Sequence, residues 1–145
     1  MRFYLDTSVL AAYTYFSETE TTRFKIVDLL LNTCIKNEIE IVVSFYGLHE
    51  LFLLALEYLD EKSEEVGLES VRTIVNMPIR LVPLLSREKR ILYHKKFKMK
   101  DRTDVPHAIT AFVCNCDYII TYDNHFKEIS DQISVANPEE VVEML

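Results

Sequence analysis

The stretch DRTDVPHAITAFVCNCDYIITYDNHF, residues 101–126, contains a helix and a buried strand with aspartates on either side of them. Pro106 predicts the first turn of a helix that runs roughly through Cys114, because proline is tolerated where no intrahelical N–H bond is lost. Residues 118–121 form a short, mostly apolar run that is typical of a strand buried on both faces. Asp123 follows that strand. Carboxylates at a helix head and beyond the carboxyl end of a strand lie where an open α/β sheet places its ligand site.

The length of 145 residues predicts a single domain, residues 1–145, that can bury roughly two-thirds of the surface of its unfolded chain. The sequence is 49% hydrophobic with only two glycines and four prolines, which is typical of a compact chain. Three cysteines, an odd number, favour a reducing cytoplasm over a disulfide framework. No second Cys or His pair follows Cys114 and Cys116 at zinc spacing. No apolar run approaches the roughly 20 residues that span a bilayer.

The positive charge is concentrated in one segment. The net charge is −7, which argues against general nucleic-acid binding. Residues 87–102 nevertheless carry eight of the 16 Lys and Arg side chains and lead directly into the aspartates described above. Such a run can be a solvated helix face, or it can bind a phosphate-bearing substrate beside the carboxylates. In the second interpretation, the candidate substrate-binding residues are Lys95, Lys96, Lys98, Lys100 and Arg102.

Apolar runs at strand and helix periods alternate along the whole chain. Such alternation predicts βαβ units, and therefore a parallel sheet with helices on both faces. We expect a polar connector over residues 60–67 and a helix over residues 86–98, with Ile91, Leu92 and Phe97 facing inward. The predicted strands are residues 2–5, 40–43, 79–82, 118–121 and 133–135.

Four acidic residues lie at positions that a parallel sheet can bring together. Asp6 follows the first strand, Glu50 lies on the helix after the second, Asp104 heads the helix before the fourth, and Asp123 follows the fourth. Asp6 can equally be a simple N-cap, and Glu50 can be an exposed helical residue. Converging carboxylates need protons or hard cations to offset their repulsion, and oxygen ligands favour Mg²⁺ or Mn²⁺ over zinc. Such ions activate water and neutralise the charge that develops on a phosphoryl group.

The order of these motifs resembles the PIN domain, and most closely the single-domain toxin ribonucleases of VapBC systems and their archaeal relatives. The resemblance covers nearly the whole chain. The residues that carry it are Leu5-Asp6-Thr7-Ser8, Ser44 with Glu50 six residues later, Asp104-Val-Pro-His107-Ala-Ile-Thr110-Ala111 and Thr121-Tyr-Asp123-Asn-His-Phe126.

The resemblance implies an α/β/α sandwich around a five-stranded parallel sheet of order 3-2-1-4-5. It also implies an Mg²⁺- or Mn²⁺-dependent endoribonuclease that leaves 5′-phosphate and 3′-hydroxyl ends. Asp6 and Asp104 match the principal metal ligands, Glu50 the second acidic position and Asp123 the fourth.

Further residues and partners follow from the same resemblance. Ser8 and Thr121 match polar residues that support the carboxylates. Asp101 lies outside the four and is either an added acidic neighbour or, slightly favoured, a turn residue. Toxin-type relatives usually form homodimers and are inhibited by a small antitoxin, so both partners are expected beside an RNA substrate.

Apart from its acidic residues, the sequence shows no pattern typical of a catalytic triad or nucleophile. We expect His107 to pack or hydrogen-bond structurally rather than to act as an acid or base. His49, His94 and His125 show no triad spacing, and no Ser or Cys has the surroundings of a nucleophile. The alternatives to a toxin are a catalytically silent PIN module that binds RNA or protein, and an RNA-processing nuclease without an antitoxin. An aspartyl-phosphate enzyme is disfavoured because Asp6 is followed by Thr-Ser rather than by a second aspartate two residues later.

Overall fold

A sheet of five parallel strands lies at the centre of the fold. The computed structural model describes all residues, 1–145. The strand order is β3-β2-β1-β4-β5, which confirms the order implied by the family resemblance and the parallel pairing predicted from the βαβ pattern. The strands are β1 (Arg2–Leu5), β2 (Glu40–Ser44), β3 (Arg80–Val82), β4 (Tyr118–Ile120) and β5 (Ser134–Ala136).

Helices cover both faces of the sheet. A short 3₁₀ helix, Asn124–Ile129, follows β4. The helices are α1 (Thr7–Thr14), α2 (Thr21–Lys36), α3 (Phe45–Tyr58), α4 (Ser63–Val75), α5 (Arg87–Tyr93), α6 (Val105–Val113) and α7 (Pro138–Met144).

Alternate residues of the central strand β1 face opposite cores. Phe3 and Leu5 pack in one buried cluster with side chains of α1, α2 and α3, whereas Tyr4 packs in a second cluster with α6 and the 3₁₀ helix. The period of two along a strand produces this division. The protein is therefore a three-layer α/β/α sandwich, and the second cluster carries α6 close to the carboxyl ends of β1 and β4.

The prediction for residues 86–98 is wrong in its length and in its buried face. Helix α5 spans only Arg87–Tyr93, and none of its residues is buried. Ile91 and Leu92 are 65% and 69% exposed, and only Phe97 lies in the core. Phe97 reaches the core because the chain turns after α5, so the helical spacing that placed the three side chains on one face does not apply.

The predicted connector over residues 60–67 is also too long. Helix α4 begins at Ser63 and includes Gly67, where a Cβ atom would lie 2.8 Å from the Phe52 ring. Glycine is present there because α3 and α4 approach closely, not because the chain turns. In the sequence, a glycine among charged residues is typical of a loop. Only the structure shows that Gly67 is needed for close packing of α4 against α3.

The three cysteines are free and buried. None of the helices has the length and apolar composition needed to cross a membrane.

Candidate metal centre and the adjoining basic groove

Asp6 lies at the carboxyl end of β1 and also caps helix α1. Its Oδ2 accepts hydrogen bonds from the Ser8 backbone N–H (3.2 Å), the Ser8 hydroxyl (2.7 Å) and the Thr121 hydroxyl (2.9 Å). The two interpretations of Asp6 are compatible, since the N-cap contact uses Oδ2 alone and Oδ1 makes no hydrogen bond within the chain. Asp6 is only 5% exposed, so its carboxylate is held rigidly at the sheet edge.

His107 connects Glu50 to the buried strand β1. Its Nε2 lies 3.0 Å from Glu50 Oε1, and its Nδ1 lies 2.7 Å from the Tyr4 hydroxyl. The Tyr4 hydroxyl in turn lies 2.6 Å from Ser44 Oγ, at the N-terminus of α3. Burial lowers the pKa of His107, but the hydrogen bond to Glu50 and the charge of Asp6 outweigh burial and raise that pKa above its usual value. The Nε2–H group donates to the Glu50 carboxylate, and Nδ1 is paired with the Tyr4 hydroxyl, which can donate or accept.

Glu50 is half-buried and has a partner at each oxygen. The Thr7 hydroxyl donates to Oε2 at 2.7 Å, and the imidazole occupies Oε1. Burial raises the pKa of Glu50, but the hydrogen bond from His107 and its charge lower it below its usual value overall. Glu50 is therefore a paired carboxylate whose charge remains at the site, rather than a freely exposed helical side chain.

Asp104 has no partner for one of its carboxylate oxygens. It precedes α6 without capping it, and its Oδ2 is buried and accepts no hydrogen bond. Burial and the charges of Asp123, Asp6 and Asp101 raise the pKa of Asp104 to about 7. A buried polar atom without a partner is rare in folded proteins and costs free energy. Asp104 is therefore a partly buried carboxylate that is repelled by three neighbouring carboxylates.

Asp123, Asp101 and His125 lie on the exposed side of Asp104. Asp123 Oδ1 accepts the His125 backbone N–H at 2.8 Å and lies 3.1 Å from His125 Nδ1. Asp101 Oδ1 accepts both the backbone N–H and the hydroxyl of Thr103, and these bonds lower the pKa of Asp101. Asp101 is thus both a turn residue and an acidic neighbour, since one ligand atom each of Asp101, Asp104 and His125 lies within 4.8 Å of the others.

The residues present fit a hard divalent cation. The donors are carboxylate oxygens, which Mg²⁺ and Mn²⁺ prefer. A cation would satisfy the bare oxygen of Asp104 and the free Oδ1 of Asp6, and would offset the repulsion that raises the pKa of Asp104. The charge of Asp123 acts on Asp104, whereas Glu50 is connected to the site through His107, whose pKa is raised by Glu50, Asp6 and Asp104.

A basic groove adjoins the carboxylates through the start of α6. It has a volume of about 990 Å³, and Val105 and Pro106, the two residues after Asp104, form part of its wall. Lys96 points elsewhere, because its ammonium lies 4.6 Å from the centre of the Phe112 ring. The other four predicted cations, Lys95, Lys98, Lys100 and Arg102, line the groove together with Arg90 and His94.

Sequence reasoning did not identify Tyr4 or His125 as members of the site. The sequence does indicate that Tyr4 has a polar partner, because a tyrosine within a buried strand needs a hydrogen-bond partner for its hydroxyl. His125 shows no catalytic spacing in the sequence, but its contact with Asp123, two residues earlier, brings it to the same edge of the sheet. His107 is fully buried and hydrogen-bonded, as expected of a structural role.

From β1 the sheet is extended by β2 and β3 on one side and by β4 and β5 on the other, so the topological switch point lies between β1 and β4. Asp6, Thr121 and Asp123 all follow these two strands. This arrangement defines an open α/β protein with an acidic site at its topological switch point. The chain belongs to the PIN domain family, whose sequence pattern matches residues 2–125. No protein of curated function matches the sequence significantly.

Several solved structures share the fold at low sequence identity. VapBC from Salmonella typhimurium bound to DNA has a TM-score of 0.66 and 16% identity, covering 95% of this chain and 98% of that chain. FitAcB from Neisseria gonorrhoeae has a TM-score of 0.64 and 19% identity, with 94% and 98% covered. VapC20 from Mycobacterium tuberculosis, a toxin that cleaves the Sarcin-Ricin loop, has a TM-score of 0.63 and 11% identity, with 86% and 92% covered.

Proposed function

We propose that this protein is a metal-dependent endoribonuclease that hydrolyses RNA phosphodiester bonds. The observation that carries the proposal is the buried, unpartnered Oδ2 of Asp104, whose pKa is raised to about 7 by burial and by the neighbouring carboxylates. Groups of this kind with strongly perturbed pKa values concentrate at functional sites. Asp6 and Asp104 are the principal ligands of Mg²⁺ or Mn²⁺, and Glu50 and Asp123 are the additional carboxylates.

The bound cation would activate a water molecule and neutralise charge on the phosphoryl group. Ser8 and Thr121 hold the Asp6 carboxylate in one orientation through the bonds to Oδ2. His107 fixes Glu50 in the same way at Oε1. Hydrolysis by water, with the 3′ oxygen as the leaving group, produces the 5′-phosphate and 3′-hydroxyl ends expected of a PIN nuclease.

Cleavage of a mixed single-stranded RNA pool tests the proposal directly. We expect cutting in the presence of Mn²⁺ or Mg²⁺ and none in EDTA, because the cation would activate the attacking water and neutralise charge on the phosphoryl group. Gel analysis with end-group mapping measures both the cutting and the 5′-phosphate. Cutting that persists in EDTA would contradict the proposal, and metal-independent RNA binding without cutting would favour the catalytically silent module.

RNA lies along the basic groove in this proposal. The charge reversals Lys95→Glu and Lys98→Glu together are expected to weaken the binding of a single-stranded oligoribonucleotide at least about 10-fold. The dependence of log K on log salt should become shallower by about 1.4, since each lost contact to a single strand removes about 0.7. Fluorescence anisotropy in EDTA, where no cleavage is expected, measures both quantities.

Lys96→Glu is the matched control for this experiment. Lys96 is adjacent in sequence and equally charged, but its ammonium lies over Phe112 and outside the groove. We expect its salt slope to stay close to that of the wild type. If the double variant kept the wild-type slope, residues 87–102 would be a solvated face rather than a substrate surface.

An antitoxin partner fits an apolar groove on the other side of Asp6. This groove has a volume of about 370 Å³ and includes Ala11, Ala12, Tyr15 and Phe16. Ser8, which hydrogen-bonds to Asp6, also lines it, so an apolar segment lying there could place a cation at the carboxylates. The VapBC neighbours support a toxin role; an RNA-processing nuclease without an antitoxin is the second candidate. Inhibition by the product of an adjacent small open reading frame, relieved by Phe16→Glu at the exposed rim of this groove, would decide for the toxin.

A homodimer is proposed through the exposed apolar side chains near α5. Leu84, Ile91 and Leu92 are 58%, 65% and 69% exposed, and large apolar side chains left exposed within one short segment favour an interaction surface. Sedimentation velocity of wild type and Leu92→Lys tests this, and a wild-type monomer at micromolar concentration would exclude it.

A further inference from the structure

We infer that Glu128 determines which nucleobases bind in the basic groove, by accepting a hydrogen bond from the amino group of a base. The inference rests on the proposed function and deepens it, because it concerns the bases of the RNA rather than the metal or the cleavage step. Glu128 is the only carboxylate that lines the groove. The lysines and arginines that line it with Glu128 are Arg90, Lys95, Lys98, Lys100 and Arg102.

The backbone of Glu128 is held in place by the core. Glu128 lies on the 3₁₀ helix that follows β4, and Phe126 and Ile129 of this helix are fully buried. Asp123, one of the four acidic residues of the candidate metal centre, is the N-cap of the same helix. Glu128 therefore has a fixed position relative to the carboxylates at which cleavage is proposed.

One carboxylate oxygen of Glu128 is used within the chain, and the other is free. Oε2 accepts the Lys100 backbone N–H at 2.9 Å, which joins the 3₁₀ helix to the segment between α5 and α6. Oε1 accepts no hydrogen bond within the chain, and Glu128 forms no ion pair within 4.0 Å with any lysine or arginine. Oε2 therefore has a structural role, whereas Oε1 remains an acceptor for a ligand in the groove.

The groove suits a nucleobase as well as phosphates. Lysine and arginine side chains bind the phosphates of a nucleic acid, but a carboxylate repels phosphate and accepts instead from N–H groups on base edges. Single-stranded RNA presents unstacked bases whose edges are free for such hydrogen bonds. Apolar side chains that a base could contact also line the groove, namely Phe97, Met99, Val105 and Ile109. An RNA strand can thus place its phosphates on the cations and one base edge at Glu128.

Cytosine and uracil differ in the group that would meet Glu128. Cytosine carries the N4 amino group, which donates to a carboxylate, whereas uracil carries the O4 carbonyl at the same position. A carbonyl that faces a carboxylate leaves both oxygens without a donor, and the two repel each other. Adenine has an N6 amino group and should behave as cytosine does. The groove is therefore expected to bind cytosine- and adenine-containing RNA more tightly than uracil-containing RNA.

Fluorescence anisotropy with oligocytidylate and oligouridylate of equal length, in EDTA, provides the test. The wild type is expected to bind oligocytidylate about 5- to 20-fold more tightly, the size of effect that one hydrogen bond to a charged group produces. In Glu128→Gln this ratio should fall below about twofold, because an amide can donate to uracil as readily as it accepts from cytosine. The affinity for oligouridylate should rise in the same variant, since a negative charge leaves the groove.

Glu128→Gln is expected to keep the fold, and Asp131→Asn is its matched control. Glutamine retains an oxygen that can accept the Lys100 backbone N–H, so the structural contact is preserved. Asp131→Asn also removes one negative charge, three residues away in sequence, but Asp131 is exposed and lies outside the groove. We expect Asp131→Asn to retain the wild-type ratio of affinities.

The outcomes separate this inference from the proposed nuclease. Equal binding of the two oligomers by the wild type, or an unchanged ratio in Glu128→Gln, would overturn the role of Glu128 while metal-dependent cleavage remained. Binding of neither oligomer would overturn both this inference and the groove as the RNA surface. Discrimination that is lost in Glu128→Gln and kept in Asp131→Asn supports the assignment, even if the protein failed to cut RNA in Mn²⁺ and the nuclease were thereby excluded.

Discussion

Asp104→Asn is expected to abolish metal-dependent RNA cleavage and, in the same protein, to stabilise the metal-free fold. The loss of activity should be at least about 100-fold, because even groups that only orient a metal ligand are worth about 10–100-fold. The gain in stability has a separate origin. Asparagine removes the buried charge that Asp123, Asp6 and Asp101 repel.

The raised pKa of Asp104 determines how the difference in free energy of unfolding between the variant and the wild type changes with pH. The pKa of Asp104 is raised from 3.8 to about 7, so the folded protein retains a proton that the unfolded chain releases. The free energy of unfolding of the wild type therefore falls as pH rises from about 4 through 7, while the variant lacks this contribution. Because the side chain is only partly buried, solvent screening reduces the difference to about 1–2 kcal/mol at pH 8.

Urea denaturation in EDTA at pH 5 and pH 8 measures the effect. Asp104→Asn should exceed the wild type in stability at pH 8 and differ less from it at pH 5. Added Mn²⁺ should stabilise the wild type more than the variant, since a ligand stabilises only the state that binds it. Asp60→Asn, at an exposed position, is the control. A variant less stable than the wild type at pH 8 in EDTA would show that Asp104 is not repelled by its neighbours.

His107→Ala is expected to have the largest effect on stability. The imidazole is fully buried and hydrogen-bonds to Tyr4 and Glu50, so its removal creates a cavity and leaves polar atoms without partners. Cavity formation and lost buried hydrogen bonds together should cost about 3–5 kcal/mol in the free energy of unfolding.

Two further variants separate these contributions. Tyr4→Phe removes the hydrogen bonds of the Tyr4 hydroxyl to His107 and Ser44 without a large cavity and should cost about 1–3 kcal/mol. His49→Ala changes an exposed histidine that precedes Glu50 on α3 and should change stability by less than about 0.5 kcal/mol. A cost below 1 kcal/mol for His107→Ala would mean that the Tyr4–His107–Glu50 contacts contribute little to the fold.

Much of the architecture could be predicted because it is encoded locally. The period of apolar residues and the position of Pro106 led to α6 and β4 within a residue or two of their ends. The error at α5 has a physical reason as well. Ile91, Leu92 and Phe97 match a helical face, but the helix ends at Tyr93 and only the packing of the following turn buries Phe97.

The sequence by itself determined the alternation of strands and helices and the order of the acidic residues at strand ends, because both depend on periods of two to four residues. The tertiary structure alone decided how these residues meet. Tyr4, Glu50 and His107 come from three distant elements, and their contacts depend on how α3 and α6 pack against the sheet. The convergence of Asp101, Asp104 and His125 likewise depends on the loop before α6 reaching the end of β4. The identity of each acidic residue is given by the sequence, whereas the burial and neighbouring charges that make Asp104 a candidate metal ligand arise only when the chain folds.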